Sequence, residues 1–209
     1  MLGRKFHRKD QVYKMTNASK DLLHKPIVTA EIIESLEGAD LNDLCDATEA
    51  TREDGTGFGW VSHPTREAME RYWRGVLVVP ERSLVIVRLD DVICGSIQLI
   101  EPSKHNEAQS FSASLLATFV APWARGHGAG NILMETVENL ALEKGYKVLN
   151  LDVRETQRAA INLYERLGYK KWGTSPYYAM VDNKIMAGHF YSKVIDNSTE
   201  KEQVPFIKL

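Results

Sequence analysis

Three glycines spaced two apart, Gly126, Gly128 and Gly130, with Arg125 directly before them, form the stretch of this 209-residue chain best suited to chemistry. That chemistry is anion binding. A helix N-terminus offers free backbone N–H groups and a partial positive charge, and glycine lets phosphate oxygens come close to the backbone. Arg125 adds a permanent cation beside them. Two familiar phosphate loops are excluded, because no Lys-Ser/Thr pair follows the glycines and the third glycine comes one residue early for a dinucleotide fingerprint. As an isolated turn, the pattern equally suits a tight strand-to-helix junction whose glycines serve packing.

A strand and a helix must flank this turn. Leu115, Leu116, Ala117, Phe119 and Val120 make an apolar run that Pro122 ends, and Ile132/Leu133, Val137 and Leu140/Ala141 recur with helical spacing. The helix runs from about Gly128 to Lys144, with Gly145 as its stop. Val148 to Val153 reads as the next strand, and the strand-helix-strand order predicts a parallel pair joined by a right-handed crossover. A helix from about Gln157 to Leu167 follows, with Ala160, Leu163, Tyr164 and Leu167 on one face.

Upstream, Val28 to Ile33 reads as the first strand, and Asp40 is expected to cap a helix through about Ala50. A loop interrupted by Gly55, Gly57 and Gly59 carries Phe58 and Trp60, which either fold back on the core or wall a binding site. After Pro64, Ala68/Met69, Tyr72/Trp73 and Val76/Leu77 repeat four apart and predict a second helix with its aromatics in the core. Ser83 to Leu89 and Val92 to Ile100 form a hairpin around Asp90-Asp91, and Gln109 to Val120 is the strand entering the glycine turn. Lys170 to Gly173 and Tyr177 to Val181 lead through Asp182-Asn183 into Lys184 to Val194, a terminal hairpin. His189 and Tyr191 alternate on its last strand opposite Tyr177 and Tyr178, a pattern of cross-strand packing.

Composition bounds the rest. A hydrophobic content of 44% with 26% charged residues is that of a globular chain, and 209 residues suit one domain, 26–195. Residues 1–25 form a basic leader, read as solvated and partly disordered because its apolar positions lack periodicity, and 196–209 a polar tail. A formal charge of -2 gives no pull toward nucleic acid or anionic membrane. Cys45 and Cys94 are too few for a disulfide framework, the basic N-terminus lacks an apolar segment after it, and no run reaches transmembrane length, so the cytoplasm is expected. Neither Cys nor His shows metal-ligand spacing.

The string Val120-x-Pro122-x-x-Arg125-Gly126-x-Gly128-x-Gly130 resembles the signature of the GNAT acetyltransferase superfamily, whose turn grips the acyl-CoA pyrophosphate. Ala160-Ile161-Asn162-Leu163-Tyr164-Glu165-Arg166-Leu167-Gly168-Tyr169 is similar to the family's A-I-x-L-Y-E-x-x-G-F segment, at the expected distance. The resemblance spans roughly Val28 to Val194. It implies a mixed α/β domain: a twisted sheet of about seven strands, flanked by about four helices, whose central parallel pair, 115–120 and 148–153, splays open. Separated parallel strands expose unpaired N–H and C=O groups, which the two amides of a pantetheine arm would satisfy.

The resemblance further implies an N-acetyltransferase that moves acetyl from acetyl-CoA to a primary amine by direct attack, without a metal. Phe119, Val120, Arg125, Gly126, His127, Gly128, Ala129, Gly130, Gln157, Ala160 and Tyr164 would hold the donor. A backbone N–H near Phe119-Val120 would stabilise the developing oxyanion, and Tyr164 would give the departing thiolate its proton. Gln157 stands where many relatives have Asn, and the strand before the turn lacks the Glu that many use as base. A water chain held by backbone carbonyls and hydroxyls such as Ser112 or Ser114, or uptake of the already neutral amine, is expected in its place, with His189 and His105 as rival bases. The acceptor, a small-molecule amine or a peptide or protein amine, is expected among Phe58, Trp60, Tyr177, Tyr178 and His189. Another acyl-CoA or acceptor, or a non-catalytic CoA-binding module, are the alternatives. Family analogy allows a homodimer through the terminal hairpin.

Overall fold

The computed structural model describes residues 25–55, 59–60, 63–181 and 183–196. Nearly all of the leader and tail, and Phe58 and Asp182, lie outside the described residues. One seven-stranded sheet runs through the domain in the order β1-β2-β3-β4-β5-β7-β6. Its strands are β1 (Val28–Ile33), β2 (Arg82–Leu89), β3 (Val92–Ile100), β4 (Ser112–Val120), β5 (Val148–Arg154), β6 (Lys170–Val181) and β7 (Lys184–Val194). Four α-helices accompany them, α1 (Asp40–Glu53), α2 (Arg66–Leu77), α3 (Ala129–Glu143) and α4 (Arg158–Arg166). Only the β4–β5 pairing is parallel, as the strand-helix-strand order requires.

Helices cover both faces of the sheet, which is why β2 carries four consecutive buried apolar residues, Leu84 to Val87. Leu84 and Ile86 pack toward α1 and α2, around Leu44 and the wholly buried Trp73. Val85 and Val87 pack toward α3 and α4, with Leu133, Val137, Ile161 and Tyr164. The Trp73 indole N–H donates to Thr48 Oγ1 at 3.2 Å, so its one polar atom is satisfied in the core. Truncating it to Ala would cost about 3–5 kcal/mol.

Asp90 (φ 48°) and Asp91 (φ 69°) both adopt left-handed backbone and close the β2–β3 hairpin with the twist such a two-residue turn needs. Three expectations are corrected. Asp40 does not cap α1: it is the first helical residue, and its carboxylate pairs with Arg88 at 2.8 Å. The strand expected from Gln109 begins at Ser112, because a 3-10 turn holds Glu107–Gln109 and the Asn106 amide donates to Gln109 Oε1. The two pieces expected at 170–173 and 177–181 are one strand, whose register shift between Ser175 and Ala179 absorbs Pro176 at the sheet edge.

The central feature is a gap. β4 and β5 pair only through Ser112↔Val148, Ala113↔Leu149 and Ser114↔Asn150. Ala117 then takes a left-handed conformation (φ 51°), and the β3–β4 register shifts beside it, between Ser96 and Gln98. Such a bulge twists a strand away from its neighbour. From Leu115 and Leu151 onward the two facing edges have no ladder partner among the described residues.

Candidate active site

Each side of the gap opens into a cavity. The first, of about 670 Å³, lies at the start of α3 and is lined by Phe119, Val120, Arg125, Gly126, Gly128, Ala129 and Gly130 from the strand and turn, and by Gln157, Ala160 and Tyr164 from the α4 segment. These are the residues expected to hold an acyl-CoA, save His127. The His127 ring turns back on its own loop, with Nδ1 3.3 Å from the Ala124 carbonyl oxygen.

The glycines act for different reasons. Gly126 (φ 84°) and Gly128 (φ 85°) are left-handed, and nothing lies within 4 Å of where a Cβ would sit on either. Their requirement is backbone conformation beside an open cavity. Gly128 is the N-cap of α3 and offers no side chain to cap it, and no acidic residue occupies the first turn, so its leading N–H groups keep their anion-binding capacity. Gly130 serves packing, since a Cβ there would meet Leu163 Cδ2 at 3.1 Å. Arg125 is not an isolated cation: Nη1 pairs with Asp54 Oδ2 at 2.7 Å and Nε donates to the Val120 carbonyl at 3.3 Å.

The second cavity, of about 560 Å³, is lined by residues of β4, β5 and β6 together with Tyr72 of α2. Trp60, Tyr72, Leu116 and Met180 give it apolar walls, with the Trp60 and Tyr72 rings edge-to-face at 5.1 Å. The Tyr72 hydroxyl is fixed by Gln98 Nε2, which donates to it at 2.9 Å. Asp152 and Arg154 of β5 supply its charges, and the Tyr178 phenol donates a hydrogen bond to Asp152 Oδ2. Thr118, Gln157 and Tyr164 line both cavities, so the two spaces meet at these residues across the gap.

Tyr164 is 4% exposed. Burial pushes its phenol above the ordinary tyrosine value, a hydrogen bond with the Thr118 side chain works the other way, and the Asp152 charge adds a smaller upward push. The phenol therefore keeps its proton through the neutral range, as a general acid must.

Of the aromatics expected at the acceptor, Trp60 and Tyr178 line the second cavity, whereas Tyr177, 80% exposed, and His189 line neither. His189 sits opposite Val153, which belongs to the α3–α4 core, and its Nδ1 lies 3.0 Å from Thr174 Oγ1. Ser112 and Ser114 lie in the zipped part of the β4–β5 pair, and His105 is exposed beyond β3. A carboxylate does stand across the gap from β4, at Asp152 of β5. Its sequence signal is a lone acidic residue in the alternating strand VLNLDVR, facing away from Leu151 and Val153.

The model of the acetyltransferase (GNAT) family matches residues 43–169. An uncharacterized N-acetyltransferase from the hisH–hisA intergenic region of Azospirillum brasilense is 58% identical over 131 residues, 63% of this chain and 78% of that one. Among solved structures, an N-acetyltransferase of Staphylococcus aureus superposes with a TM-score of 0.69 at 16% identity, over 81% of this chain and 99% of its own. Salmonella typhimurium yncA, solved with its cofactor acetyl-CoA, superposes at 0.66 and 13% identity, over 81% of this chain and 95% of its own. At these identities the likeness is one of fold. With the family's motifs, its sheet and its sequence match all present over more than half of its length, the chain belongs to the GNAT family and is an acyl-CoA-dependent acetyltransferase.

Proposed function

We propose that the protein transfers acetyl from acetyl-CoA to the primary amine of a compact acceptor with an apolar body, by direct attack in a ternary complex. The observation that carries this reading is the meeting of two cavities at Thr118, Gln157 and Tyr164.

The first cavity fits the donor. The uncapped N–H groups at the start of α3 suit a diphosphate, and the facing edges of β4 and β5 past their three-residue ladder suit an arm bearing amides. When bound, acetyl-CoA supplies a thioester that an amine attacks without any nucleophile of the protein. The chain's part is positioning and proton handling. Asp152 attracts the acceptor's ammonium group and accepts its proton. Tyr164, kept protonated by burial, holds a proton where the leaving sulfur needs one. Trp60, Tyr72 and Met180 bury the acceptor's apolar body, which disfavours a polyamine.

No helix among the described residues is long and apolar enough to cross a membrane, and Cys45 and Cys94 are free and buried. A cytoplasmic enzyme acting without a metal agrees with both the chemistry and the thiols. The β6–β7 hairpin, where Trp172, Met180 and Ile185 are exposed, is the surface we assign to a homodimer.

Thiol release from acetyl-CoA with a panel of amines tests the reading. Turnover is expected to be fastest with apolar monoamines, and Asp152→Asn is expected to lower kcat/KM by about a hundredfold or more. A preference for polyamines, or an unaffected Asp152→Asn, would overturn it.

A further inference from the structure

We propose that Tyr178 is the positioning residue of Asp152, and that Gly188 is the seat that aims it. The inference rests on the reading of Asp152 as the proton acceptor and adds what holds that carboxylate in place.

Tyr178 belongs to β6, which is separated from β5 by the whole width of β7. Its phenol nonetheless reaches Asp152. Two features make that reach possible. Between the pairs Ser175↔Gly188 and Ala179↔Met186, β6 spends two residues more than β7, so Tyr178 stands in an irregular segment free of the usual pleat. Its ring then lies flat on the backbone of Gly188: a Cβ there would sit 2.1 Å from Tyr178 Cγ, 2.4 Å from Cδ1 and 2.5 Å from Cδ2. Gly188 has no left-handed φ, so the need for glycine at this position is steric. The Phe190 ring, edge-on at 6.1 Å and 80°, packs beside it. Because Phe190 is the register partner of Asp152, the phenol is delivered over β7 onto that carboxylate.

A donor on Oδ2 fixes the rotamer of Asp152. The titratable and charged groups around the site are Arg154 on the same face of β5, Tyr178 from β6, Tyr164 from α4 and Tyr72 from α2. Tyr178 itself stays a donor, since burial and the neighbouring carboxylate both push its phenol up.

The test compares kcat and KM for the amine in the wild type, Asp152→Asn, Tyr178→Phe and Gly188→Ala, with calorimetric acetyl-CoA binding alongside. Tyr178→Phe keeps the ring and removes the donor. We expect kcat to fall about tenfold, with the KM for the amine and the acetyl-CoA affinity unchanged. Gly188→Ala is expected to reproduce the loss, and to add little in a Tyr178→Ala background, where no ring remains to be displaced. Should Gly188→Ala not fold, Tyr178→Phe alone decides. If Asp152→Asn collapses activity while Tyr178→Phe keeps the wild-type kcat, the positioning role is wrong and the base stands. If Asp152→Asn behaves as wild type, both are wrong.

Discussion

Arg125 Nη1 lies 2.7 Å from Asp54 Oδ2, so the cation of the glycine turn is tied to the C-terminal end of α1. Both side chains are more than a third exposed, and a pair of this kind contributes at most about 1 kcal/mol to stability. Its consequence is for ligand affinity. A carboxylate on Arg125 competes with an incoming diphosphate, so Asp54→Asn is expected to tighten acetyl-CoA binding two- to fivefold, roughly, with little change in Tm. Weaker binding in that variant, measured by calorimetry at low salt, would mean that Asp54 orients the guanidinium.

Gly128→Val is expected to weaken acetyl-CoA binding at least tenfold, about 1.4 kcal/mol. At φ 85° a branched residue strains the backbone by about 1–2 kcal/mol, and the new side chain enters the space in front of α3. Unchanged affinity in a folded variant would make the turn structural only.

Tyr164→Phe keeps the ring packed against Tyr169 and Tyr191, whose centroids lie 5.9 and 6.4 Å away. Its kcat is expected to fall by ten- to a hundredfold, roughly, while acetyl-CoA affinity barely moves. The reverse outcome would make Tyr164 a binding residue.

Stability should decline at alkaline pH. Burial pushes the Cys45 and Cys94 thiols from 9.0 up to about 11. In the folded state they keep protons that the unfolded chain gives up, so their contribution is full below pH 9 and is lost as pH rises through about 11. Urea-unfolding midpoints should fall across that window, and less steeply in Cys45→Ala/Cys94→Ala. An equal slope in both proteins would exclude the thiols as the cause.

The parts of the site that the sequence disclosed are those decided locally. A glycine turn, an Asp-Asp hairpin and a tyrosine on a helix carry their geometry within a few residues, and all three stand where they were expected. Asp152 was hidden because its place at the second cavity arises from a gap between two strands, beside a left-handed Ala117 to which alanine's own preferences give no clue. His189 and Tyr178 were equivalent in sequence, as aromatic-ring residues of one hairpin. Register set them apart, placing His189 opposite the buried Val153 while the Gly188 seat turned Tyr178 toward Asp152. Asp40, a good cap by type, met Arg88 across the fold, and that pairing defines its place.

The central claim, transfer across the gap with both substrates present, is tested most directly by initial rates with acetyl-CoA and the amine varied together. Attack in a ternary complex predicts double-reciprocal lines that intersect. Parallel lines, the pattern of an acetylated enzyme intermediate, would contradict it.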